Sequence, residues 1–216
     1  MPFIVKNTTL PSLLDLISPH SCRGCGRLGE PLCECCKNHI IKTHQNICPN
    51  LKSSSPIYVV GERNSLLGTL IHDYKYYSIR ALAHPLAEML DKVLPQNLPK
   101  NSIIVPLPTA THHIRARGLD HTYLIAKHLA KIRHFRSEHI LLRAKNTVQV
   151  GSDREKRLTQ AKFAYTVNPK CKISKNTTYI LLDDVWTTGA SIKSAENILR
   201  QAGATKIKIA LLAYSL

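Results

Sequence analysis

The sequence predicts an α/β fold in which a parallel sheet is flanked by helices and preceded by a small cysteine-rich module. Short apolar runs, such as residues 102–106 and 179–182, have the length and composition of strands buried on both faces of a parallel sheet. Segments with helical apolar spacing separate these runs, which is typical of a doubly wound sheet with its ligand at the carboxyl edge. Six of the seven cysteines precede residue 50. We therefore expect a helix and cysteine module over residues 1–55 and an α/β domain over residues 56–216.

Length and composition fit a folded protein without a membrane span. The chain has 216 residues, of which 44% are hydrophobic, enough for one sizeable domain and a small appendage. No apolar run approaches the ~20 residues that a membrane helix needs. The first 17 residues lack the basic start, long apolar core and small-residue cleavage site of a secretory signal. These features predict a cytoplasmic protein.

The net charge is strongly positive, at +16 from 30 Lys and Arg against 14 Asp and Glu. Such an excess attracts polyanions, although it is also a common solubility trait, so it favours nucleic-acid binding without requiring it. No helix-turn-helix reader is evident, so binding should follow backbone charge rather than base sequence. The absence of a G-x-x-x-x-G-K-S/T pattern argues against a P-loop ATPase.

The N-terminal cysteines have the spacing of a structural zinc site. A short apolar helix is predicted over residues 10–17, followed by two C-x-x-C pairs. Four thiolates at such spacings can surround one Zn²⁺ ion tetrahedrally, and a cytosolic setting argues against the alternative of disulfides. The predicted ligands are Cys22, Cys25, Cys33 and Cys36.

Neighbouring residues leave alternatives for this ligand set. Cys35 can replace Cys33 or Cys36, and a histidine can supply one ligand. The candidate histidines are His20, His39 and His44.

The middle of the chain alternates predicted strands and helices. A polar linker ends near residue 56, a strand follows over residues 57–61, and a helix over residues 64–77. The end of this helix carries Tyr74, Lys75, Tyr76 and Tyr77, which can stack on bases or hold a phosphate; alternatively, the tyrosines pack between helices. Helical spacing continues over residues 79–94, where Pro85 is expected to kink or divide the helix.

A second buried strand over residues 102–106 leads into a stiff turn. That turn, Leu107, Pro108 and Thr109, is where a pyrophosphate can be held beside a phosphate site. Asp120 is placed to cap the helix that follows it. Further strands are expected at residues 140–142, 164–167 and 207–212.

The segment from residue 112 to residue 157 is basic, with 11 Lys or Arg against 4 Asp or Glu. Such side chains can bind pyrophosphate or a nucleic-acid backbone, or lie solvated on helix surfaces. The candidates near the cleft are Arg115, Arg117, Arg143, Lys145, Arg154 and Arg157.

Residues 179–192 form the stretch with the most specific chemistry. An apolar strand ends at Asp183 and Asp184, a hydroxylated loop follows, and a helix stopped by Gly203 begins. Free amides and the helix dipole attract an anion at such a loop, while two carboxylates can accept from vicinal hydroxyls. We interpret it as a ribose 5-phosphate site. Its loop residues are Thr187, Thr188, Gly189, Ala190 and Ser191.

This stretch resembles the phosphoribosyl pyrophosphate (PRPP) motif of type I phosphoribosyltransferases. The motif is an apolar strand, two acidic residues, a variable pair that begins here with Val185, and T-T/S-G-x-T/S. The resemblance implies that Asp183 and Asp184 contact the ribose and serve catalysis with Mg²⁺, and that residues 187–191 wrap the 5-phosphate.

The whole chain resembles the ComF family of competence-associated, phosphoribosyltransferase-like proteins. The resemblance implies a cytoplasmic protein that binds single-stranded DNA during natural transformation (DNA uptake), with uptake-machinery proteins as possible partners of the zinc module. The alternative is an active phosphoribosyltransferase of nucleotide metabolism or salvage. The matching residues are the cysteine module, Tyr74-Lys75, residues 105–108, Arg117 to His121 (RGLDH, where the family usually has R-G-F-N-Q), Thr147-x-Gln149, Arg154-x-x-Arg157 and the PRPP motif.

Overall fold

A computed structural model describes residues 20–44, 51–144 and 164–215. The helix predicted over residues 10–17 lies outside these ranges, as do Lys145, Arg154 and Arg157. Within the described ranges, the structure contains no helix with the length and apolarity needed to span a bilayer.

The described residues form seven strands. Five of them make one sheet in the order β1-β7-β6-β2-β3, and every neighbouring pair is parallel. The predicted fold class, a parallel α/β sheet flanked by helices with a cysteine cluster, is confirmed. The strands are β1 (Ile57–Glu62), β2 (Ile103–Pro106), β3 (Arg136–Ser137), β4 (Leu141–Arg143), β5 (Tyr165–Val167), β6 (Thr178–Trp186) and β7 (Lys206–Tyr214).

Helices cover both faces of this sheet. The core on one face contains α2, α3 and α5, and the core on the other face contains α6. Strands β4 and β5, which the sequence suggested as candidates for the parallel sheet, pair antiparallel in a separate two-stranded sheet on the α6 face. The helices are α1 (Glu34–His44), α2 (Ser65–Tyr76), α3 (Ala83–Val93), α4 (Thr111–Arg117), α5 (His121–Arg133) and α6 (Ala190–Gln201), with a 3-10 turn at Arg80–Leu82.

The strand order places a topological switch point between β2 and β6. From β2 the chain crosses through α5 to the outer strand β3, whereas from β6 it crosses through α6 to β7 in the opposite direction. Connections that diverge in this way leave a crevice at the carboxyl ends of the two strands. This crevice is the expected position of a ligand.

Strand β6 is longer than the sequence indicated. Pairing with β2 ends at Leu182, but pairing with β7 continues to Trp186. Asp183 and Asp184 therefore lie within the strand rather than at its end, beyond the reach of β2. The outward extension of β7 explains the difference, because residues 213 and 214 still offer backbone partners there.

Pro85 neither kinks nor divides a helix, contrary to the expectation. It is buried in the first turn of α3, where its missing N–H has no intrahelical partner to lose. The break in the helical pattern precedes it, at the 3-10 turn Arg80–Leu82.

The cysteine module packs directly against the α/β domain. Buried Cys22, Leu32 and Ile40 belong to the same hydrophobic core as α2, α3 and α5. Lys37 of α1, buried in this contact, forms an ion pair of 2.5 Å with Glu88 of α3. The two predicted domains thus share one apolar core.

The polar linker before β1 is fixed by a buried carboxylate. Glu196 of α6 accepts hydrogen bonds from Ser53 at 3.0 Å and Ser54 at 2.7 Å, and also from Ser55. Arg200, one turn further along α6, donates to Glu196 at 2.9 Å. These contacts hold the linker against α6.

Candidate ligand-binding cleft and metal centre

A cleft of about 220 Å³ opens at the switch point between β2 and β6. Its walls come from four separate parts of the chain: the end of α2, the turn after β2 with the start of α5, the β4–β5 sheet, and the end of β6 with the start of α6. The lining residues are Lys75, Leu107, Pro108, Thr109, Ala110, His121, Thr122, Arg143, Tyr165, Asp183, Asp184 and Ser191.

The two carboxylates of the cleft have different surroundings. Neighbouring side chains on a strand point to opposite faces, so Asp183 and Asp184 diverge from β6. Asp184 forms an ion pair with Lys75 at the end of α2. Asp183 accepts a hydrogen bond of 2.9 Å from the backbone amide of Asp184 and influences Tyr165 electrostatically on the α6 face.

The pKa of Asp183 is raised to about 7. Burial is the largest cause, since a desolvated carboxyl favours its neutral form, and the charge of Asp184 acts in the same direction. The amide of Asp184 and the ammonium group of Lys75 lower the pKa less than these effects raise it. A cation or a hydroxyl donor beside Asp183 would therefore favour its ionised form.

The loop after β6 is shaped for a close approach to the backbone. Gly189 precedes α6 with φ 73°, in the left-handed region, and it is buried against the ring of Trp186. The hydroxyl of Thr188 accepts from the amide of Ala190 at 3.4 Å. At the first turn of the 12-residue helix α6, Ser191 reaches the cleft.

The opposite wall is built from the turn after β2 and the first turn of α5. The amide of Leu107 donates to the carbonyl of Leu182 at 2.9 Å, which holds the turn beside β6. Asp120 caps α5 as predicted, by accepting from the amide of Tyr123 at 3.2 Å, and it also accepts from the hydroxyl of Thr109 at 3.0 Å. First-turn residues of two helices, α5 and α6, therefore line one cleft, and both helix dipoles favour an anion there.

The β4–β5 sheet supplies a cation and a ring to the third wall. The guanidinium carbon of Arg143 lies 5.8 Å from the centre of the Tyr165 ring, in cation–π range. Burial raises the pKa of the Tyr165 hydroxyl, and a hydrogen bond with Ser191 opposes this change. Arg143 is exposed on its strand, so its charge is available to an anionic ligand.

The structure brings eight of the predicted site residues together in the cleft. Val185 is half-buried, Gly189 is buried, and Thr187, Thr188 and Ala190 are exposed beside the cleft. Arg115 is exposed on α4 and is not among the lining residues, and Arg117 ends that helix. The eight are Lys75, Leu107, Pro108, Thr109, Arg143, Asp183, Asp184 and Ser191.

Four lining residues were not among the predicted site residues. Ala110 follows the predicted turn, and His121 and Thr122 follow the predicted helix cap Asp120. The turn and the cap are therefore the sequence signals from which these three residues could have been found. Tyr165 had no local signal, because only the tertiary position of the β4–β5 sheet brings it to the cleft.

Tyr74 does not offer its ring to a base, contrary to one of the two readings of this residue. It is 1% exposed, its ring packs edge-on against His121, and its hydroxyl donates to the His121 carbonyl at 2.8 Å. The alternative, packing between helices, applies to Tyr74. Tyr76 and Tyr77 are the exposed tyrosines of this segment, at 57% and 68%.

A second site lies in the cysteine module. The sulfur atoms of Cys22, Cys25, Cys33 and Cys36 all lie within 4.8 Å of one another, and Cys35 is exposed outside the group. Two of these sulfurs, on Cys25 and Cys33, are 3.7 Å apart. Tetrahedral Zn–S bonds separate sulfurs by roughly 3.8 Å, whereas a disulfide holds them at about 2 Å. The four predicted cysteines can therefore bind a metal ion such as zinc.

Backbone amides of the module favour a thiolate at Cys22. Burial alone would raise the pKa of Cys22, but hydrogen bonds from backbone amides outweigh it and bring the pKa to about 6. The amide of Gly24 donates to the Cys22 sulfur at 3.4 Å, and that of Cys33 at 3.3 Å. A thiolate is the form that binds a metal.

Comparisons with known proteins give matches among solved structures alone. No protein-family model matches the sequence, and no curated protein matches it. Among solved structures, the chain is similar to one described as the allosteric regulatory enzyme of purine biosynthesis, with 14% identity and a TM-score of 0.47. The similarity covers 65% of this chain and 29% of that chain, so the present chain matches less than a third of that enzyme's length. The fold class rests on the strand order and parallel pairing described above.

Proposed function

We propose that this chain is a ComF-type protein whose cleft binds PRPP together with Mg²⁺. One observation carries the proposal: the acidic pair of β6, the hydroxylated loop and the first turn of α6 meet at the switch point of a parallel sheet. A sugar phosphate requires anion-binding amides and diol-accepting carboxylates side by side, and this arrangement supplies both.

The cleft has a group for each part of PRPP. Amides and hydroxyls of residues 187–191 would hold the 5-phosphate, and Asp183 and Asp184 would accept from the ribose diol. The pyrophosphate would lie against the turn of residues 107–109, with Lys75 and Arg143 as cations. Mg²⁺ prefers carboxylate and phosphate oxygens, so it would join the acidic pair to the pyrophosphate.

Titration calorimetry with PRPP and MgCl₂ tests this function. We expect binding by the wild-type chain, and at least a tenfold rise in Kd for the Asp183→Asn/Asp184→Asn variant. Glu138→Gln is the matched control, because it removes an acid outside the cleft that pairs with Arg136. Equal affinity of the double variant and the wild type would refute the assignment. Pyrophosphate release with ammonia or a panel of nucleobases would show whether the bound PRPP turns over, as the alternative of an active phosphoribosyltransferase requires.

A second surface favours binding of single-stranded DNA. On the exposed side of α2, the His72 ring lies 4.9 Å from the Tyr76 ring and 5.5 Å from the Tyr77 ring. A shallow groove continues from His72 along α2 to Arg63. The exposed rings can stack on unpaired bases, and Arg63 in the adjoining groove supplies a cation. The +16 charge of the chain attracts the phosphates of the strand.

The salt dependence of DNA binding tests this surface. We expect log Kd for a single-stranded oligonucleotide of arbitrary sequence to rise with the logarithm of the salt concentration, with a slope of about 0.7 for each phosphate contact. The Tyr76→Ala/Tyr77→Ala variant should lose about tenfold in affinity, since stacking contributes roughly 1–3 kcal/mol per base. Leu28→Ala, at an exposed apolar residue of the cysteine module, is the control. Unchanged affinity of the tyrosine variant would remove the surface from consideration.

Zn²⁺ is the metal that we propose for the cysteine site. Four sulfur ligands select Zn²⁺ over hard cations, and a closed set of four protein ligands is typical of a structural centre. Metal analysis of the purified chain should give one Zn²⁺ per molecule. An iron–sulfur absorption spectrum would contradict the assignment.

A further inference from the structure

The last turn of α2 contacts three other parts of the fold through three consecutive residues. Asp73 accepts from Nε and Nη2 of Arg23 in the cysteine module, at 2.8 and 2.6 Å. Tyr74 donates to the carbonyl of His121 at the start of α5. Lys75 pairs with Asp184 of β6. A single helical turn thus links the cysteine module to two walls of the cleft.

The contact between Arg23 and Asp73 differs from an ordinary surface ion pair. The Asp73 side chain is only 5% exposed, so its desolvated carboxylate depends on the guanidinium group that reaches it. Two nitrogen atoms bind the same oxygen, which fixes the direction of approach. The carbonyl of Asp73 also accepts from the amides of Tyr77 and Ile79, at 3.1 and 3.4 Å, and so ends the helix.

Arg23 is held in turn by the cysteine cluster. It lies in the chain between Cys22 and Cys25, and both of these thiols belong to the group of four. Its own amide donates to the carbonyl of Pro31 at 3.0 Å, within the same module. The position of the guanidinium group therefore follows from the conformation of this loop.

We infer that Arg23 and Asp73 are positioning residues that couple the cysteine cluster to the cleft through Lys75. A metal in the cluster fixes the loop, Arg23 fixes the last turn of α2, and this turn presents Lys75 to Asp184. Loss of the metal loosens the turn and displaces Lys75. Because coupling between two binding sites is reciprocal, PRPP in the cleft also retains the metal. The ligand part of this inference rests on the proposed function.

The sign of two charge changes separates positioning from long-range electrostatics. Arg23→Gln removes a positive charge and Asp73→Asn removes a negative one, so a purely electrostatic effect would shift PRPP affinity in opposite directions. Positioning predicts weaker binding in both, by about 5–20-fold, within the usual range of coupling between sites. Opposite shifts, or no shift in either variant, would overturn the inference.

Lys92→Gln is the matched control. Lys92 of α3 also joins the module to the domain, and its ammonium group donates to Glu34 at 2.5 Å and Asn38 at 2.9 Å, both on α1 rather than α2. The substitution removes the same charge as Arg23→Gln and a contact across the same interface. We expect less than about a twofold change in Kd, so an equal effect of both variants would assign the change to general loosening of the module.

Hydrogen exchange measures the coupling without PRPP. The amides of Tyr77 and Ile79 report on the last turn of α2, since both donate to the Asp73 carbonyl. Their exchange should accelerate about tenfold when a chelator removes the metal, and also in Arg23→Gln with metal bound, but not in Lys92→Gln. If exchange of these two amides is unchanged both after metal removal and in Arg23→Gln, the coupling is refuted even in a chain that binds PRPP. Failure of the wild-type chain to bind PRPP refutes the proposed function instead, and the exchange result still decides the coupling.

Discussion

A Cβ atom added to Gly189 would lie 2.1 Å from Cζ2 of Trp186, much closer than van der Waals contact permits. Gly189 also has φ 73°. The glycine that opens α6 is thus required twice, by its backbone conformation and by the indole ring beneath it. A side chain at position 189 would therefore have to displace Trp186, which is buried in the core.

Gly189→Ala should cost about 3 kcal/mol in the free energy of unfolding, from roughly 1–2 kcal/mol of left-handed backbone strain plus the displacement of Trp186. Gly203→Ala is the matched control, because Gly203 has φ 102° but nothing lies within 4 Å of an added Cβ. It should cost about 1 kcal/mol. Urea unfolding of both variants measures the difference. Equal costs would mean that Trp186 adjusts freely.

Asp183→Asn should stabilise the folded chain at pH 8 while weakening PRPP binding. Its pKa of about 7 lies above the ordinary value of 3.8, so the folded state binds the proton more tightly than the unfolded state does. The carboxylate therefore contributes no penalty below pH 3.8, and its penalty grows as the pH rises to 7 and is constant above that. At about 1.4 kcal/mol per pKa unit, reduced for partial solvation, the gain should be about 1–3 kcal/mol.

Thermal unfolding of the Asp183 variant between pH 4 and 8 measures this effect. Asp184→Asn is the comparison, because it relieves the repulsion on Asp183 but also removes the ion pair with Lys75, so its gain should be smaller. A stability difference independent of pH would contradict the raised pKa of Asp183.

Glu196→Gln should destabilise the chain by about 2–4 kcal/mol at pH 7, because an amide cannot accept all the hydrogen bonds that the buried carboxylate receives. Burial alone would raise the pKa of Glu196, but hydrogen bonds from Ser55, Ser54 and Arg200 outweigh it and lower the pKa below the ordinary 4.5. The contribution of the carboxylate is therefore complete above pH 4.5 and disappears as the pH falls below it. Denaturant unfolding at pH 7 and pH 3 should show the difference shrinking at acid pH, with Glu138→Gln unaffected at either.

Cys36→Ser should abolish metal binding, whereas Cys35→Ser should preserve it. The neighbouring residues share a helix and a side-chain size, but only Cys36 has its sulfur in the group of four. Loss of a structural metal should lower stability by at least about 3 kcal/mol, or about 6–12 °C in Tm for a chain of this length. Metal analysis and calorimetry of both variants provide the measurement. Metal retention by Cys36→Ser would exclude this residue as a ligand.

Local patterns were sufficient to predict the elements that their own residues determine. The apolar run of β6 and the amphipathic spacing of α6 required no tertiary information, nor did the Asp120 cap. The C-x-x-C spacing predicted Cys36, but the exclusion of the alternative Cys35 did require tertiary information, because both follow Cys33 at spacings that a metal site tolerates. The helix α1 begins at Glu34, and its first turn places the Cys36 sulfur in the group of four while Cys35 is exposed.

Features that depend on distant partners escaped prediction. The residues preceding β1 have the pattern of a polar linker, but Ser53 and Ser54 donate to Glu196, more than 140 positions away. Sequence alone allows Tyr74 to stack on a base, but in the fold its ring packs against His121. The end of β6 was misjudged because acidic residues normally mark a strand's end, and β7 extends it. Each of these depends on a contact that no sequence window contains.

The strand order has a consequence for synthesis on the ribosome. Strand β7 is the final strand of the described chain, but it lies inside the sheet, between β1 and β6. Until it emerges, β1 has no partner among the described strands, and the long edge of β6 offers open hydrogen-bonding groups to other nascent chains. Assembly of the five-stranded sheet is thus postponed until β7 is available, and a premature stop codon between β6 and β7 should yield an aggregation-prone product with two unpaired edges.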